Sequence, residues 1–163
     1  MEATQTNDPK IRELVQAFQK LGVDEQLALF YFIYKEMGDS ITPAAPGAST
    51  VSPAVADGLF NQVKELSHEE QLQLQRDLIN KADTVHSREY GSMGDTTKLL
   101  FWYRLAQGMD ANTIIPMPPN YELASESKEL MDKIKGLDFS MQMTLFRDYV
   151  APMGADAKPG AEI

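Results

Sequence analysis

Apolar residues recur at every third or fourth position through most of this chain, and nowhere do they alternate with polar ones over a useful strand length. Ile11, Leu14, Val15, Phe18 and Leu21 predict a first amphipathic helix, opened by Asn7 or Asp8 ahead of Pro9 and closed by Gly22. Asp24 is read as the cap of a second, which stops at Gly38 and carries Leu27-Ala28-Leu29-Phe30-Tyr31-Phe32-Ile33-Tyr34, eight uncharged residues of which four are aromatic. So long an apolar run also suits a buried strand; the cap, the closing glycine and a length of about fourteen residues favour helix.

Residues 39 to 53 read as irregular, because Pro43, Pro46 and Gly47 exclude helix continuation. Ser52 before Pro53 then starts a third helix with Val55, Leu59, Phe60, Val63 and Leu66 on its apolar face. Ser67 with Glu70 is a capping box for a fourth, carrying Leu72, Leu74, Leu78 and Ile79. A short helical turn around Ser87 to Tyr90 follows, and Asp95 or Thr96 starts a second aromatic helix, Leu99-Leu100-Phe101-Trp102-Tyr103, expected to end near Gln107 before Gly108. After a loop over 109 to 120, Ser125 is expected to cap a helix with Leu130, Met131 and Ile134 that closes at Gly136, and Asp138 to cap a last one with Phe139, Met143, Phe146 and Val150. From Ala151 on, Pro152, Gly154, Pro159 and Gly160 read as a linker or loose end.

The expected fold is therefore all-α, seven or eight helices in a bundle, with the two loops rich in Pro and Gly dividing them into two groups. The expected boundaries are a flexible N-terminus over 1–8, a helical domain over 9–153 and a flexible tail over 154–163. At 163 residues this is the size of one domain.

Charge and composition narrow the function. The balance of 15 Lys and Arg against 24 Asp and Glu gives −9, which opposes attraction to nucleic acid or anionic lipid. The absence of cysteine excludes a disulfide framework and a thiolate nucleophile. The longest apolar run falls far short of the ~20 residues of a membrane span, and the first residues, with Glu2 and Asp8, do not resemble a secretory signal, so a cytoplasmic location is expected. His68 and His86 lie in polar surroundings without the Glu-x-x-His spacing of a helical metal site, and neither a phosphate loop nor a nucleophile elbow is present. Neither a metal site nor catalysis is expected.

What remains are the aromatic faces. Leu27, Phe30, Tyr31 and Tyr34 share one helix face, and Leu99, Trp102, Tyr103 and Ala106 another. Such stripes are ordinarily core. Against that stand the concentration of rings with polar tips and six methionines in the last third, Met109, Met117, Met131, Met141, Met143 and Met153, which suit an irregular apolar ligand. Composition leaves core and ligand tunnel both open.

Several blocks in one order go further. DEQLALFYFIYKEMGDSITPAAPG at 24–47, DLINKAD at 77–83, KLLFWYRL at 98–105, IPMPPNYEL at 115–123 and the KGLD turn at 135–138 strongly resemble the N-terminal helical domain of the cyanobacterial orange carotenoid protein and its stand-alone paralogs, the helical carotenoid proteins. The resemblance implies two packed four-helix groups with a keto-carotenoid held non-covalently between them: canthaxanthin, echinenone or 3'-hydroxyechinenone. Carried over by position, the pocket would be Leu27, Tyr31, Tyr34, Leu99, Trp102, Tyr103, Met109, Pro116, Met117 and Met143, and Arg147 would contact a partner. Tyr31 stands where the full-length proteins have tryptophan.

The implied role is photoprotection by singlet-oxygen quenching in a constitutively open form, since no light-sensing C-terminal half accompanies the matching blocks. The alternatives are a quencher docking on the phycobilisome, at the phycobilisome or thylakoid surface, and a pigment-free all-α interaction module. A separate C-terminal-domain-like carotenoid carrier is a further implied partner.

Overall fold

The side chain of Asp8 accepts a hydrogen bond from the Lys10 amide (2.8 Å), which fixes the start of the first helix just where Pro9 can sit without losing a donor. In this computed structural model residues 8–41 and 53–155 are described, and among them eight helices and no strand are present. They are α1 (Pro9–Gln19), α2 (Val23–Ile41), α3 (Pro53–Lys64), α4 (His68–Ile79), α5 (Val85–Gly91), α6 (Asp95–Ala111), α7 (Ser125–Lys135) and α8 (Phe139–Val150). The all-α expectation holds, and each expected helix is present. None is long and apolar enough to cross a membrane, and no cluster of metal-ligating side chains occurs among the described residues.

The helices form two packed groups of four that are not contiguous in sequence. α1, α2, α7 and α8 make one, held by Phe18 stacked on Tyr149 (4.0 Å between centroids) and tilted against Phe30 (5.2 Å). α3 to α6 make the other, with Ala56, Leu59, Val63, Leu74, Leu78, Phe101 and Leu105 buried between them. The groups meet where α6 packs on α2 and α8, and where α2 packs on α4. α6 touches helices of both groups, so Phe101, Trp102, Leu105 and Ala106 are buried along it. Its solvated side is narrow, the stripe of Arg104, Gln107 and Asp110.

Several boundaries differ from the expectations, each for a local reason. α2 begins at Val23, with the Gly22 carbonyl accepting from the Gln26 amide (2.9 Å); Asp24 is thus inside the first turn, where its charge opposes the helix dipole favourably. α2 also runs through Gly38 to Ile41, so residues 39 to 41 are helical, while 42–52, with the expected Ser52 cap, lie outside the described residues. α6 passes through Gly108 and ends at Asn112, which adopts the left-handed conformation (φ 64°) that closes a helix. Gly108 is required for space instead: a Cβ there would meet Ile114 Cγ1 at 2.5 Å and Phe60 Cζ at 3.2 Å. Ala124, not Ser125, occupies the N-cap of α7, and Glu25 Oε2 holds its amide (2.8 Å). The Ser67–Glu70 capping box and the Asp138 cap form as expected.

The reading of the segment after Val150 as loose needs correction. Met153, Gly154 and Ala155 are buried, and the Gly154 amide donates to Leu78 O (2.7 Å) while that of Ala155 donates to Ser87 O (3.2 Å). Gly154 has φ +80°, a turn that brings its Cα against the Tyr90 ring. The chain therefore straps α4 to α5 after its last helix. Asp8, placed in the expected flexible N-terminus, is fixed by its capping bond; 1–7 and 156–163 lie outside the described residues.

Candidate functional site

α2 and α6 pack on each other, and the rings of both lie along their common seam: Phe30 stacks on Trp102 (4.9 Å) and Tyr34 meets Tyr103 edge-on (5.3 Å). Seven residues separate Leu27 from Tyr34, two helical turns, so the face they share with Tyr31 extends about 10 Å along the seam. Two hollows open on it. The larger, about 210 Å³, is walled by Leu27 and Ala28 of α2, Leu72 of α4, Met109 of α6, and Ile115 and Met117 of the loop after α6. Pro116 and Pro118 form its lip. The smaller, about 40 Å³, is bounded by Phe30, Ile33 and Tyr34 with Leu99, Trp102, Tyr103, Ala106 and Phe146.

The ten residues singled out from sequence thus divide. Leu27, Met109, Pro116 and Met117 border the larger hollow, and Tyr34, Leu99, Trp102 and Tyr103 the smaller. Tyr31 borders neither; one turn from both Leu27 and Tyr34, it stands between the hollows and donates from its hydroxyl to Asp110 Oδ1 (2.7 Å). Met143 is 2% exposed, belongs to the core and lines neither of these hollows. Arg147 is only partly exposed, with its Nε buried and without a hydrogen bond, near enough to Asp95 to oppose the rise that burial imposes on that carboxyl. The whole contribution of α4, Leu72, Gln75 and Arg76, escaped the sequence reading. Its only signal was their spacing on one helix face.

Polar groups hold the walls in place. Gln71, 1% exposed, donates from its amide to Val63 O (3.1 Å), Leu66 O (3.4 Å) and Thr113 O (3.1 Å), while its oxygen accepts from the Ile115 amide (2.7 Å). It ties the wall loop to α3 and α4. Gln71→Ala is expected to leave these buried groups unpaired and to cost about 3 kcal/mol, read as a lower midpoint in urea unfolding. At the far end Glu25 accepts from the Tyr121 hydroxyl (2.6 Å) and so pins the loop to α2. Trp102 Nε1 donates to the Tyr90 hydroxyl (2.9 Å), which donates onward to Val150 O (3.0 Å), and the Lys98 ammonium donates to Ala151 O (2.7 Å). The seam is thereby coupled to the strap after α8.

The Tyr31–Asp110 bond crosses between the two helix groups. Burial, together with the Asp110 hydrogen bond and charge, raises the Tyr31 phenol to about 12; Asp110 is also paired with Lys35 (3.4 Å). A phenol raised in the folded state contributes stability that is complete below the ordinary value of 10 and lost between 10 and about 12. Tyr121, held by Glu25 and by burial, is likewise raised to about 12. Unfolding free energy is expected to fall across that window and Tyr31→Phe to make the fall shallower, as urea titrations at the two ends would show.

These residues fit a long apolar guest chemically. The walls are Leu, Met, Ile, Pro and aromatic rings, the Asp24–Arg76 pair at the rim neutralises itself (2.9 Å), and α2, with 19 residues, is about 28 Å long. In the arrangement seen the hollows are separate, and each falls below the ~300 Å³ at which ligand pockets begin. A guest the length of the seam therefore requires the Phe30–Trp102 and Tyr34–Tyr103 pairs to part.

Comparison with known proteins places this architecture. The family model described as orange carotenoid protein, N-terminal, matches residues 3–156. An orange carotenoid-binding domain-containing protein of Nostoc sp. strain PCC 7120 is 44% identical over 152 residues, covering 93% of this chain and 87% of that protein. The orange carotenoid-binding protein of Synechocystis sp. strain PCC 6803 is 36% identical over 150 residues, 91% of this chain but 47% of that protein, so the chain spans about half of it. Among solved structures, the red carotenoid protein of Anabaena (Nostoc) sp. PCC 7120 binding canthaxanthin superimposes with a TM-score of 0.82 at 68% identity, over 91% of this chain and all of that one. With its two four-helix groups meeting on an aromatic seam, the chain belongs to the family of the orange carotenoid protein N-terminal domain.

Proposed function

We propose that this protein binds one extended keto-carotenoid along the α2–α6 seam and protects against light damage by quenching singlet oxygen. The observation that carries this reading is the aromatic seam, with one apolar hollow bordered by Leu27 of α2 and Met109 of α6 and a second bordered by Tyr34 of α2 and Trp102 of α6. Leu27, Tyr31, Tyr34, Leu99, Trp102, Tyr103, Met109, Pro116 and Met117 would hold the pigment, and Met143 would support them from the core. Burying on the order of 500 Å² of polyene supplies roughly 12 kcal/mol gross, before association and ring rearrangement are subtracted, so no covalent link is needed. When bound, the carotenoid supplies the energy-accepting polyene. The protein's part is to exclude water, hold the chain extended and keep its two ends apart.

The relatives named above support the pigment class, canthaxanthin being the ligand of the red carotenoid protein. Singlet-oxygen trapping by pigment-loaded and pigment-free protein tests the role: the loaded form is expected to protect a co-dissolved oxidisable reporter, and equal protection by both would reject quenching. Docking on a phycobilisome through Arg147 has less support, because the inner nitrogen of that guanidinium faces the protein interior. A pigment-free adaptor would leave the hollows without a purpose.

A further inference from the structure

The larger hollow is apolar on almost every side, yet Gln75 projects onto it from α4 and is 5% exposed. Its polar neighbours at the hollow are occupied. Asp24 and Arg76 bind each other through two parallel hydrogen bonds (2.9 and 3.0 Å) at the water-washed rim, and the Tyr121 hydroxyl donates to Glu25. The Gln75 amide makes no hydrogen bond with the described residues. The contrast with Gln71, one turn earlier on the same helix, bears on this. That glutamine is equally buried and fully paired, which is how a structural buried amide behaves. The amide opens onto a hollow of about 210 Å³ walled by Leu72, Met109, Ile115 and Met117, and a guest that displaces water from there must supply an acceptor or leave the amide unpaired at a cost.

The geometry points to Gln75 as the residue that reads the end of the ligand: its side-chain N–H donates to the oxygen on the terminal ring of the polyene, so this hollow selects an oxygenated ring over an unsubstituted hydrocarbon one. This rests on the carotenoid-binding reading above. A site that supplies a buried donor penalises the analogue lacking the acceptor, because the donor is then stranded without water. A carbonyl accepts directly and needs no rotamer change at the ring. The apolar walls hold either ring equally well, so discrimination falls to the amide.

The test loads full-length protein separately with canthaxanthin, which carries a carbonyl on each ring, and with β-carotene, which has the same carbon skeleton and no oxygen. The native protein is expected to favour canthaxanthin about tenfold, the ratio that one hydrogen bond to a buried group supplies. The resonance Raman spectrum of bound canthaxanthin should show a carbonyl stretch at lower frequency than in an apolar solvent. Gln75→Met, close in volume and without the donor, should abolish both the preference and the frequency shift while retaining β-carotene. The carbonyl frequency of the native complex reads the bond even if the variant does not fold. Equal affinity for the two pigments with an unshifted carbonyl would overturn the assignment and leave the carotenoid reading standing; native protein that takes up neither pigment would overturn both.

Discussion

Trp102→Ala is expected to strip the seam of pigment, whereas Phe101→Ala, one position earlier, is expected to lower stability and leave pigment per folded molecule unchanged. The two rings touch edge-on (6.3 Å) and both meet Tyr90, but only that of Trp102 reaches the smaller hollow. Trp102 borders the smaller hollow, stacks on Phe30 across the seam and donates from Nε1 to the Tyr90 hydroxyl. Phe101 is fully buried and packs edge-on against Tyr90 (5.8 Å) on the side of its own helix group. Truncating it removes core contacts, the edge contact with Trp102 among them, and no wall of the hollow, at about 3–5 kcal/mol. Truncating Trp102 removes a ring from the proposed ligand wall, and a buried aromatic anchor is worth at least 2 kcal/mol of binding, so occupancy should fall by about thirtyfold or more at limiting pigment. Trp102→Phe restores a ring without the indole donor and should recover much of the occupancy. The readouts are the ratio of visible to protein absorbance in the folded fraction and the urea midpoint. The opposite ranking of the two variants would reverse the assignment of faces on α6.

Gly91→Ala is expected to detach the strap that follows α8. A Cβ at Gly91 would overlap the Ala155 carbonyl oxygen, a backbone atom that cannot rotate away. Relief requires residues 153 to 155 to lift, which breaks the hydrogen bonds from Gly154 to Leu78 and from Ala155 to Ser87 and uncovers Met153. The expected cost is about 2–4 kcal/mol, with amide hydrogen exchange at Gly154 and Ala155 rising toward that of an exposed chain. The consequence reaches the seam, because Val150 O and Ala151 O accept from Tyr90 and Lys98 on the way to Trp102. Gly58→Ala, at an exposed position inside α3 where nothing lies within 4 Å of the added carbon, is the control and should keep or raise stability, by up to about 1 kcal/mol. Unchanged exchange in Gly91→Ala would show that the strap is not held as described.

How much of this was legible in the chain varies with the kind of signal. Side-chain caps act over three residues, so Asp8, Ser67 with Glu70, and Asp138 could be read directly. Glycine misled in three places, and at Gly108 and Gly154 the reason is a partner outside the local pattern. Gly38 and Gly108 look like helix ends, yet Gly108 is a contact point for Ile114 and Phe60, while Asn112 performs the termination. Gly154 looks like a linker and is a buried left-handed turn against Tyr90. The aromatic stripes showed which faces of α2 and α6 meet, since Phe30, Tyr34, Trp102 and Tyr103 are in contact across the seam. They did not show that Tyr31 divides the seam or that α4 supplies a wall. A buried glutamine such as Gln75 has no sequence signature, because glutamine on a helix is ordinarily solvated.

The claim on which the rest depends is that the seam between α2 and α6 takes in a long pigment instead of serving only as ring-to-ring core. The visible absorption spectrum of the protein purified from cells that produce a keto-carotenoid tests this most directly. A visible band that co-elutes with the folded monomer or assembly at a constant ratio to protein absorbance is the predicted result; folded, stable and colourless protein from the same cells would contradict it.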